Sequence, residues 1–234
     1  MSEVESIRDR YARRKESNLY SRFLTTVCLT GQERERALLA EMHRFLPLGK
    51  VSAARVLEPG CGSGSNLLDF IRVGFSPQNL VGIDLLSERV AAARERLPGS
   101  VIILEGNALS FSFEFNKKFD VVIVSTVFSS ILEANFRIEF AQWLLQVLAE
   151  GGGILFYDFV VNNPKNRDVR KVSMEELLLL FPGCEVRGRR VTLAPPLSRF
   201  IEKKFSGRVL LMVYCVLSLF PFLKTHMVCS IVPQ

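Results

Sequence analysis

The feature that most constrains the fold of this chain is a short run of glycines between an apolar segment and a helical one. Residues 56–64 read VLEPGCGSG, in which the apolar stretch closes on Glu58 and glycines follow at every second position. A strand that turns sharply into a helix needs residues that tolerate a positive φ angle, as glycine does. Without side chains, the backbone of such a turn can also lie directly against a ligand, near the partly positive helix N-terminus. The run therefore predicts a strand, a ligand-binding turn and a helix that begins at Ser65.

The spacing of these glycines separates two classes of ligand-binding turn. The dinucleotide fingerprint G-x-G-x-x-G would require a glycine at the position that Ser65 occupies. A second apolar run, residues 80–83, ends in Asp84, where a parallel strand would end after one crossover helix. A carboxylate there can accept two hydrogen bonds from a ribose diol, and Leu85 and Leu86 offer apolar surface to an adenine ring. A turn without a ligand would explain the glycines but not Asp84, so the pattern predicts an adenosine-containing ligand.

Two later segments complete the pattern. Residues 101–105 lead into Gly106-Asn107-Ala108, and residues 119–124 lead into Ser125. This order of motifs resembles that of the class I S-adenosylmethionine-dependent methyltransferases, whose first motif is E-x-G-x-G-x-G. That family usually carries aspartate where this chain has Asn107, and an amide oxygen can still accept a hydrogen bond from the adenine amino group.

The resemblance covers residues 50–160 and implies that S-adenosylmethionine is the cofactor. Cys61, between two of the glycines, is interpreted as a small residue that fills space within the turn. The residues expected to form the cofactor site are Glu58, Gly60, Cys61, Gly62, Gly64, Asp84, Leu85, Asn107, Ala108 and Ser125.

Strands alternate with helices through the middle of the chain, which predicts an α/β fold with a doubly wound parallel sheet. The expected elements include helices over 65–73, 87–97 and 134–149, a fifth strand over 154–158, a capping box at 173–176, and two last strands over 184–192 and 225–232. In the resembled family the last two strands form an antiparallel edge. The resemblance therefore implies a Rossmann-like methyltransferase fold, with a mostly parallel seven-stranded sheet and an antiparallel last strand.

The chain divides into an extension and a core. Residues 1–50 are predicted to be largely helical, and the resemblance implies that they form a lid over cofactor and substrate. Tyr11 and Tyr20 of this extension either belong to the site or pack on the sheet. Residues 51–234 form the predicted methyltransferase domain. Residues 193–224 are an insertion between its last two strands, and they are far more numerous than a hairpin loop requires.

The insertion combines basic and apolar residues. Lys203, Lys204 and Arg208 precede Val209–Phe220, a run that is apolar on every side and too short to span a bilayer. Such a helix either packs against the sheet as core or meets lipid. Basic residues beside apolar ones suit an anionic membrane surface or a lipid-linked substrate. A buried helix and a peripheral membrane contact are therefore both open.

Composition and charge restrict the partners. The net charge is +6, and basic clusters at 8–15 and 187–204 fit an acidic small-molecule substrate such as a sugar nucleotide. No basic stripe interleaved with aromatic residues is present, so nucleic acid is not an expected partner. The five cysteines include no C-x-x-C pair, so neither a disulfide framework nor a metal site is predicted. The first residues lack the pattern of a secretory signal, so a cytoplasmic location is expected. No feature indicates an oligomeric state.

The cofactor that the resemblance implies determines what the protein has to do. A sulfonium methyl is already activated, so the protein aligns an acceptor with it and excludes water. An oxygen acceptor of high pKa also needs a general base. Tyr157 and Asp158 end the fifth predicted strand, at the edge where open α/β sheets bind ligands, and they are the catalytic candidates.

The acceptor is indicated by a second resemblance. Residues 157–170, together with Thr192-Leu193-Ala194-Pro195-Pro196, resemble bacterial methyltransferases that accompany genes for the synthesis of cell-surface glycans. This resemblance implies O-methylation of a sugar or a lipid-linked saccharide in glycan biosynthesis. Methylation of an aromatic or polyketide-like metabolite is one alternative, and a catalytically silent protein that binds the cofactor is another.

Overall fold

The computed structural model describes residues 2–13, 21–113, 118–162 and 166–234. Its strands are β1 (Val56–Pro59), β2 (Leu80–Asp84), β3 (Ile102–Glu105), β4 (Phe119–Ser125), β5 (Leu148–Phe159), β6 (Cys184–Leu193) and β7 (Lys224–Pro233). They form one seven-stranded sheet in the order β3-β2-β1-β4-β5-β7-β6. The pairings among β1 to β5 are parallel, and β7 runs antiparallel to both β5 and β6. The predicted α/β fold, with a doubly wound sheet and an antiparallel last strand, is confirmed.

Helices cover both faces of this sheet. They are α1 (Glu3–Ala12), α2 (Thr25–Met42), α3 (Ser65–Val73), α4 (Ser87–Arg96), α5 (Ala134–Val147), α6 (Met174–Leu180), α7 (Pro195–Lys204) and α8 (Gly207–Ser218). Local sequence sets their ends. The hydroxyl of Ser173 accepts from the Glu176 N–H at the start of α6, and Gly74 ends α3 in the left-handed conformation.

The fifth strand begins earlier than the sequence indicates. Residues 151–153, three glycines that were expected to end α5, lie inside β5, which starts at Leu148. The register of β5 against β4 shifts between Phe119 and Val121, so the glycines accompany an irregularity in the ladder. A Cβ atom on Gly152 would lie 2.9 Å from two backbone oxygens of β4. This close approach explains why the strand, and not only a helix end, requires glycine.

Alternate residues of the strands are buried on opposite faces of the sheet. Leu57 and Val122 face the core that α5 and α6 cover, whereas Val56 and Val121 face the core beneath α3 and α4. Because β1 lies between β2 and β4, the order of the strands reverses beside it. Open α/β sheets bind ligands at the carboxyl ends of the strands next to such a reversal. The fold therefore brings the glycine turn to the expected site.

Helices α7 and α8 fill the insertion between β6 and β7. Their inner sides form a small core with the end of β6, made of Leu193, Ile201, Leu210 and Tyr214. The opposite side of α8 faces outward, with Met212 62% exposed. The run 209–220 is therefore buried on one side only. This arrangement is intermediate between the fully buried helix and the membrane-facing helix that the sequence left open. Among the described residues, no helix has both the length and the apolar character needed to cross a bilayer.

Helix α2 receives its N-terminal cap from α7. Leu24 occupies the N-cap position and has no side chain that could accept a hydrogen bond. The carboxylate of Glu202 instead accepts from the N–H groups of Thr25, at 3.1 Å, and Thr26, at 2.7 Å. A carboxylate at this place satisfies N–H groups that have no partner within the helix and complements the helix dipole. The cap joins the insertion to the start of α2.

Candidate active site

The turn after β1 adopts the backbone conformation that its glycines predict. Gly60, Gly62 and Gly64 have φ angles of 73°, 55° and 77°. Close packing also excludes a side chain at two of these positions. A Cβ atom on Gly60 would lie 2.7 Å from a methyl group of Val127, and one on Gly64 would lie 2.5 Å from Leu97 at the end of α4. The turn is therefore packed tightly against its neighbours.

Asp84, at the end of β2, stabilises this turn by hydrogen bonding. Its Oδ2 atom accepts a 2.7 Å hydrogen bond from the Gly62 N–H, and its Oδ1 atom accepts one of 3.0 Å from the Leu86 N–H. The residue is only 6% exposed, yet it borders the main cleft of the protein. A carboxylate has about four acceptor positions, so two backbone donors leave capacity for the hydroxyls of a ribose.

Glu58 is buried beneath the turn with one oxygen unpaired. Its Oε1 atom accepts a 2.5 Å hydrogen bond from Asn66, whose own side-chain oxygen accepts one of 2.8 Å from Arg34. The Oε2 atom has no hydrogen-bond partner among the described residues. Burial raises the pKa of Glu58 to about 8, against the opposing effect of the Asn66 hydrogen bond. A cationic ligand group would give this oxygen a partner and favour ionisation of the carboxyl group.

A cleft of about 770 Å³, counted with its open mouth, lies at this edge of the sheet. Six of the predicted cofactor residues line it, namely Gly60, Asp84, Leu85, Asn107, Ala108 and Ser125. Glu58, Cys61, Gly62 and Gly64 lie behind this lining, and Cys61 is buried against Gly82. The contact of each residue with a cofactor stays a prediction.

Thr126 is a cleft residue for which the sequence carries no signal. It follows Ser125 at the end of β4 and has a φ angle of 56°, which is rare for a β-branched residue. Its N–H donates a 2.7 Å hydrogen bond to the carbonyl oxygen of Tyr157, and this bond fixes the strained backbone. Strain of this kind is concentrated at functional sites.

Helix α1 covers one side of the cleft through Ile7 and Tyr11. Arg10 donates to the carbonyl oxygen of Ser130 at 2.8 Å, and the Tyr11 and Ser130 hydroxyls are 2.9 Å apart. Glu3 accepts from Arg10 and from the N–H of Leu132, both at 2.8 Å. Buried charged groups that are paired in this way hold α1 firmly against the cleft. Tyr20, the second tyrosine of the predicted lid, lies outside the described residues.

Asp158 is fully buried, and it is not one of the described residues that line the cleft. Its Oδ2 atom accepts from the N–H of Ser129 at 2.9 Å, and its Oδ1 atom accepts from the N–H of Phe159 at 2.8 Å. Burial raises its pKa to about 6, and these hydrogen bonds act in the opposite direction. Asp158 therefore fixes the short turn at 128–130, which carries Ser130 to the cleft. Its predicted part in turnover stays a prediction.

Tyr157 lies on the other face of β5, outside the lining of the described cleft. Its ring stacks on His226 with 5.0 Å between centroids, and the Arg34 guanidinium lies 5.3 Å from its centre. Burial raises the pKa of Tyr157 to about 12 and lowers that of His226 to about 4. His226 Nδ1 is 2.7 Å from the hydroxyl of Thr192, a residue with a φ angle of 59°. The two catalytic candidates are thus separated by the sheet.

Comparison with known proteins identifies the segment that contains this site. Residues 56–152 match the family model described as "Methyltransferase domain". This segment is therefore similar to known methyltransferase domains. A curated relative, the type II methyltransferase M.VspI of Vibrio sp. (strain 343), is 27% identical over 162 residues, which are 59% of this chain and 40% of the relative. The chain thus spans well under half of that protein.

Solved structures of methyltransferases share the fold of this chain. Phosphoethanolamine N-methyltransferase 2 of Haemonchus contortus, in complex with S-adenosylmethionine, superposes with a TM-score of 0.57 at 19% identity, over 84% of this chain and 52% of that one. Magnesium protoporphyrin IX methyltransferase of Synechocystis PCC 6803 gives 0.61 at 12% identity, over 100% of this chain and 98% of that one. At these levels of identity the comparison shows a shared fold.

Proposed function

We propose that the protein transfers the methyl group of S-adenosylmethionine to a hydroxyl oxygen of a small molecule or glycan, as in the O-methylation of a sugar or a lipid-linked saccharide. One observation carries the cofactor part of this proposal: three groups suited to three parts of the cofactor meet at one edge of the sheet. Asp84 can accept from the ribose hydroxyls, Asn107 can accept from the adenine amino group, and Glu58 can pair with the amino group of the methionine portion.

The residues of the cleft supply orientation and a water-poor environment. When bound, S-adenosylmethionine supplies a methyl group that its sulfonium has already activated. Apolar side chains of Ile7, Ile131, Phe136 and Phe140 line the cleft and exclude water from it. The side chains of Ser125, Thr126 and Ser130 also face this space, and hydroxyl groups can accept from and donate to an acceptor hydroxyl.

The acceptor proton requires a base or a path to solvent. Asp158 and Tyr157 remain the candidates from the sequence, and the geometry favours an indirect role for Asp158. Its carboxylate holds the N–H of Ser129, and the next residue, Ser130, touches both the cleft and α1. We propose that Asp158 positions this turn so that Ser130 can bind the acceptor.

A second acceptor class is supported by a specific observation. Two aromatic side chains, Phe136 and Phe140, belong to the cleft together with Tyr11 of α1. Aromatic walls stack favourably on flat ligands. An aromatic or polyketide-like metabolite is therefore the alternative acceptor. The remaining alternative is a protein that binds the cofactor as an assembly partner and does not turn it over.

One labelling experiment separates these possibilities. The purified protein is incubated with S-adenosylmethionine labelled on its methyl group and with separate extract fractions of polar saccharides, lipid-linked saccharides and aromatic metabolites. Mass spectrometry then locates the label, and the same fractions incubated without the protein serve as the blank. Label in a saccharide ether supports the proposal, whereas label only in the aromatic fraction supports the alternative. Tight cofactor binding in calorimetry without label in any fraction would identify a silent partner protein.

A further inference from the structure

The outer side of the insertion is apolar although it faces solvent. On α8, helical spacing places Met212, Val216 and Leu219 on one side, opposite the buried Leu210 and Tyr214. Further exposed apolar side chains lie on α7 and in the turn after α8. We name as the insertion surface the exposed residues Phe200, Val209, Met212, Val216, Leu219 and Phe222.

A surface of this kind needs an explanation, because contiguous apolar patches are rare on proteins that contact only water. Helix α8 has 12 residues and is therefore about 18 Å long. It is already supported from below by Leu210 and Tyr214, so it is fixed parallel to the protein surface and cannot turn its apolar side inward. This arrangement suits a helix that lies in an interface and does not cross it.

The charges around the insertion surface have one sign. Lys203 and Lys204 end α7, Arg208 begins α8, and all three side chains are exposed. Residues 195–223 contain four basic residues and one acidic residue, so their net charge is 4 − 1 = +3. The acidic residue, Glu202, is engaged with the N–H groups of Thr25 and Thr26. Its negative charge is already counted in this sum, so residues 195–223 stay basic.

We infer that the insertion surface docks on an anionic lipid bilayer. The apolar side chains would enter the headgroup region, while Lys203, Lys204 and Arg208 would lie against lipid phosphates. A second copy of the chain is a poorer occupant, because two such surfaces face to face would bring +3 against +3. None of the residues of the insertion surface lines the described cleft, so the inference holds for any of the acceptors considered above.

Vesicle sedimentation tests this inference directly. The full chain is mixed with vesicles of phosphatidylcholine alone, or of phosphatidylcholine with 30% phosphatidylglycerol, at about 0.1 M and about 0.5 M salt, where the Debye lengths differ by more than twofold. We expect sedimentation with the anionic vesicles at low salt and release at high salt. Neutral vesicles should retain much less protein, because the basic edge gains nothing from them.

Two matched pairs of variants separate charge from apolar contact. We expect vesicle binding to weaken about a hundredfold in the variant Lys203→Gln/Lys204→Gln/Arg208→Gln, at about fivefold for each residue. The control variant Lys50→Gln/Lys171→Gln/Arg189→Gln removes the same charge elsewhere on the protein and should retain most of the vesicle binding. Met212→Ser/Leu219→Ser should weaken binding to anionic vesicles. Its control, Leu178→Ser/Leu179→Ser, removes exposed leucines from α6 and should not.

Two results would overturn the inference. One is an absence of sedimentation with anionic vesicles by a protein that still binds S-adenosylmethionine in calorimetry. The other is equal vesicle binding by the surface variants and their controls. If ultracentrifugation also shows a dimer that Met212→Ser/Leu219→Ser converts to monomers, the surface is an interface between copies of the chain. Circular dichroism and cofactor binding verify that each variant is folded, so a loss of lipid binding cannot be confused with unfolding.

Discussion

The N–H of Gly62 donates a 2.7 Å hydrogen bond to the carboxylate of Asp84, so the end of β2 shapes the turn that follows β1. The same carboxylate borders the cleft. Asp84 therefore holds the turn and lies where we propose that a ribose binds, and two substitutions test these two roles. An asparagine retains one acceptor oxygen for a ribose hydroxyl, whereas an alanine removes the acceptors for both the ligand and the turn.

We expect Asp84→Ala to weaken S-adenosylmethionine binding by about 1–3 kcal/mol, because buried donors of the ribose would lose their acceptor. Asp84→Asn should have a smaller effect. Isothermal titration calorimetry measures both, and thermal unfolding without ligand reports the contribution of Asp84 to the turn. Equal affinity of the native protein and Asp84→Ala would show that the ribose does not contact this carboxylate.

The raised pKa of Glu58 leads us to expect that cofactor affinity depends on pH. Its pKa of about 8 means that the carboxyl is mostly protonated in the free protein at pH 7. A cationic amino group beside it would lower that pKa, so binding should release a proton. Affinity should therefore rise with pH, by up to about tenfold per pH unit, and become constant above pH 8. Calorimetry in buffers of different ionisation enthalpy counts the released protons.

Glu58→Gln is the control for this linkage, because glutamine has nearly the same shape and does not titrate. Its binding should release no proton between pH 6 and pH 8. The raised pKa also has a consequence for stability without ligand. The favourable contribution of protonated Glu58 is complete below pH 4.5 and is lost as pH rises through about 8. A native protein that binds without proton release would place the cationic group elsewhere.

Asp158 predicts a second effect of pH, this time on folding. Burial raises its pKa from 3.8 to about 6, so the folded protein holds a proton that the unfolded chain releases within this range. Stability should therefore fall as pH rises from about 4 to 6, by about 3 kcal/mol for this group. The difference in unfolding free energy between the native protein and Asp158→Asn, measured with urea at several pH values, isolates this contribution.

The same variant tests the role of Asp158 in turnover. A positioning role through Ser129 predicts a loss of about tenfold in kcat. A general base predicts a loss of about a hundredfold or more and the disappearance of the acidic limb of the pH–rate profile. Cofactor affinity should be unchanged in either case. Tyr157→Phe is the companion variant, and full activity of both would show that neither side chain is needed.

Helix α1 should control the exchange of ligand. Arg10→Ala removes the hydrogen bond to the Ser130 carbonyl oxygen and leaves Glu3 without its partner. We expect S-adenosylhomocysteine to dissociate about tenfold faster, which corresponds to the loss of one charge-assisted hydrogen bond. Stopped-flow displacement measures the rate. Arg8 is an exposed arginine on the same helix, so Arg8→Ala should leave the dissociation rate unchanged. Equal acceleration of dissociation by both variants would show that the contacts of Arg10 do not retain the ligand.

Elements with strong local signals were predictable from the sequence. The helix over Ser65–Val73 lies where its glycine turn and Gly74 set its ends, and the alternation of strands with helices predicted the parallel pairing of β1 to β5. The early start of β5 was not predictable, because three glycines in a row are equally consistent with a helix end. Their surroundings appear only in the folded chain: a side chain on Gly152 would meet the backbone of β4, one on Gly153 would meet the ring of Phe45, and Gly151 has a φ angle of 72°.

The site shows the same division. Asp84 and Asn107 follow predicted strands, so their positions at the carboxyl edge could be inferred from the sequence. Tyr157 and Asp158 are adjacent in the sequence, and because successive strand residues point to opposite faces, their side chains lie on opposite sides of β5. The positive φ angle of Thr126 could not be predicted from the sequence, because the surrounding structure imposes it and no local residue pattern indicates it.

The cap that Glu202 places on α2 limits how this protein can be rebuilt. If residues 195–223 were replaced by a short hairpin loop, the first turn of α2 would lose the acceptor for two N–H groups, because Leu24 cannot replace it. Helix α2 also carries Arg34, which reaches Asn66 beside Glu58. A trimmed or transplanted insertion would therefore need a new capping residue at position 24, such as serine or aspartate. The insertion and α2 therefore have to be kept together, or redesigned together, when the protein is engineered.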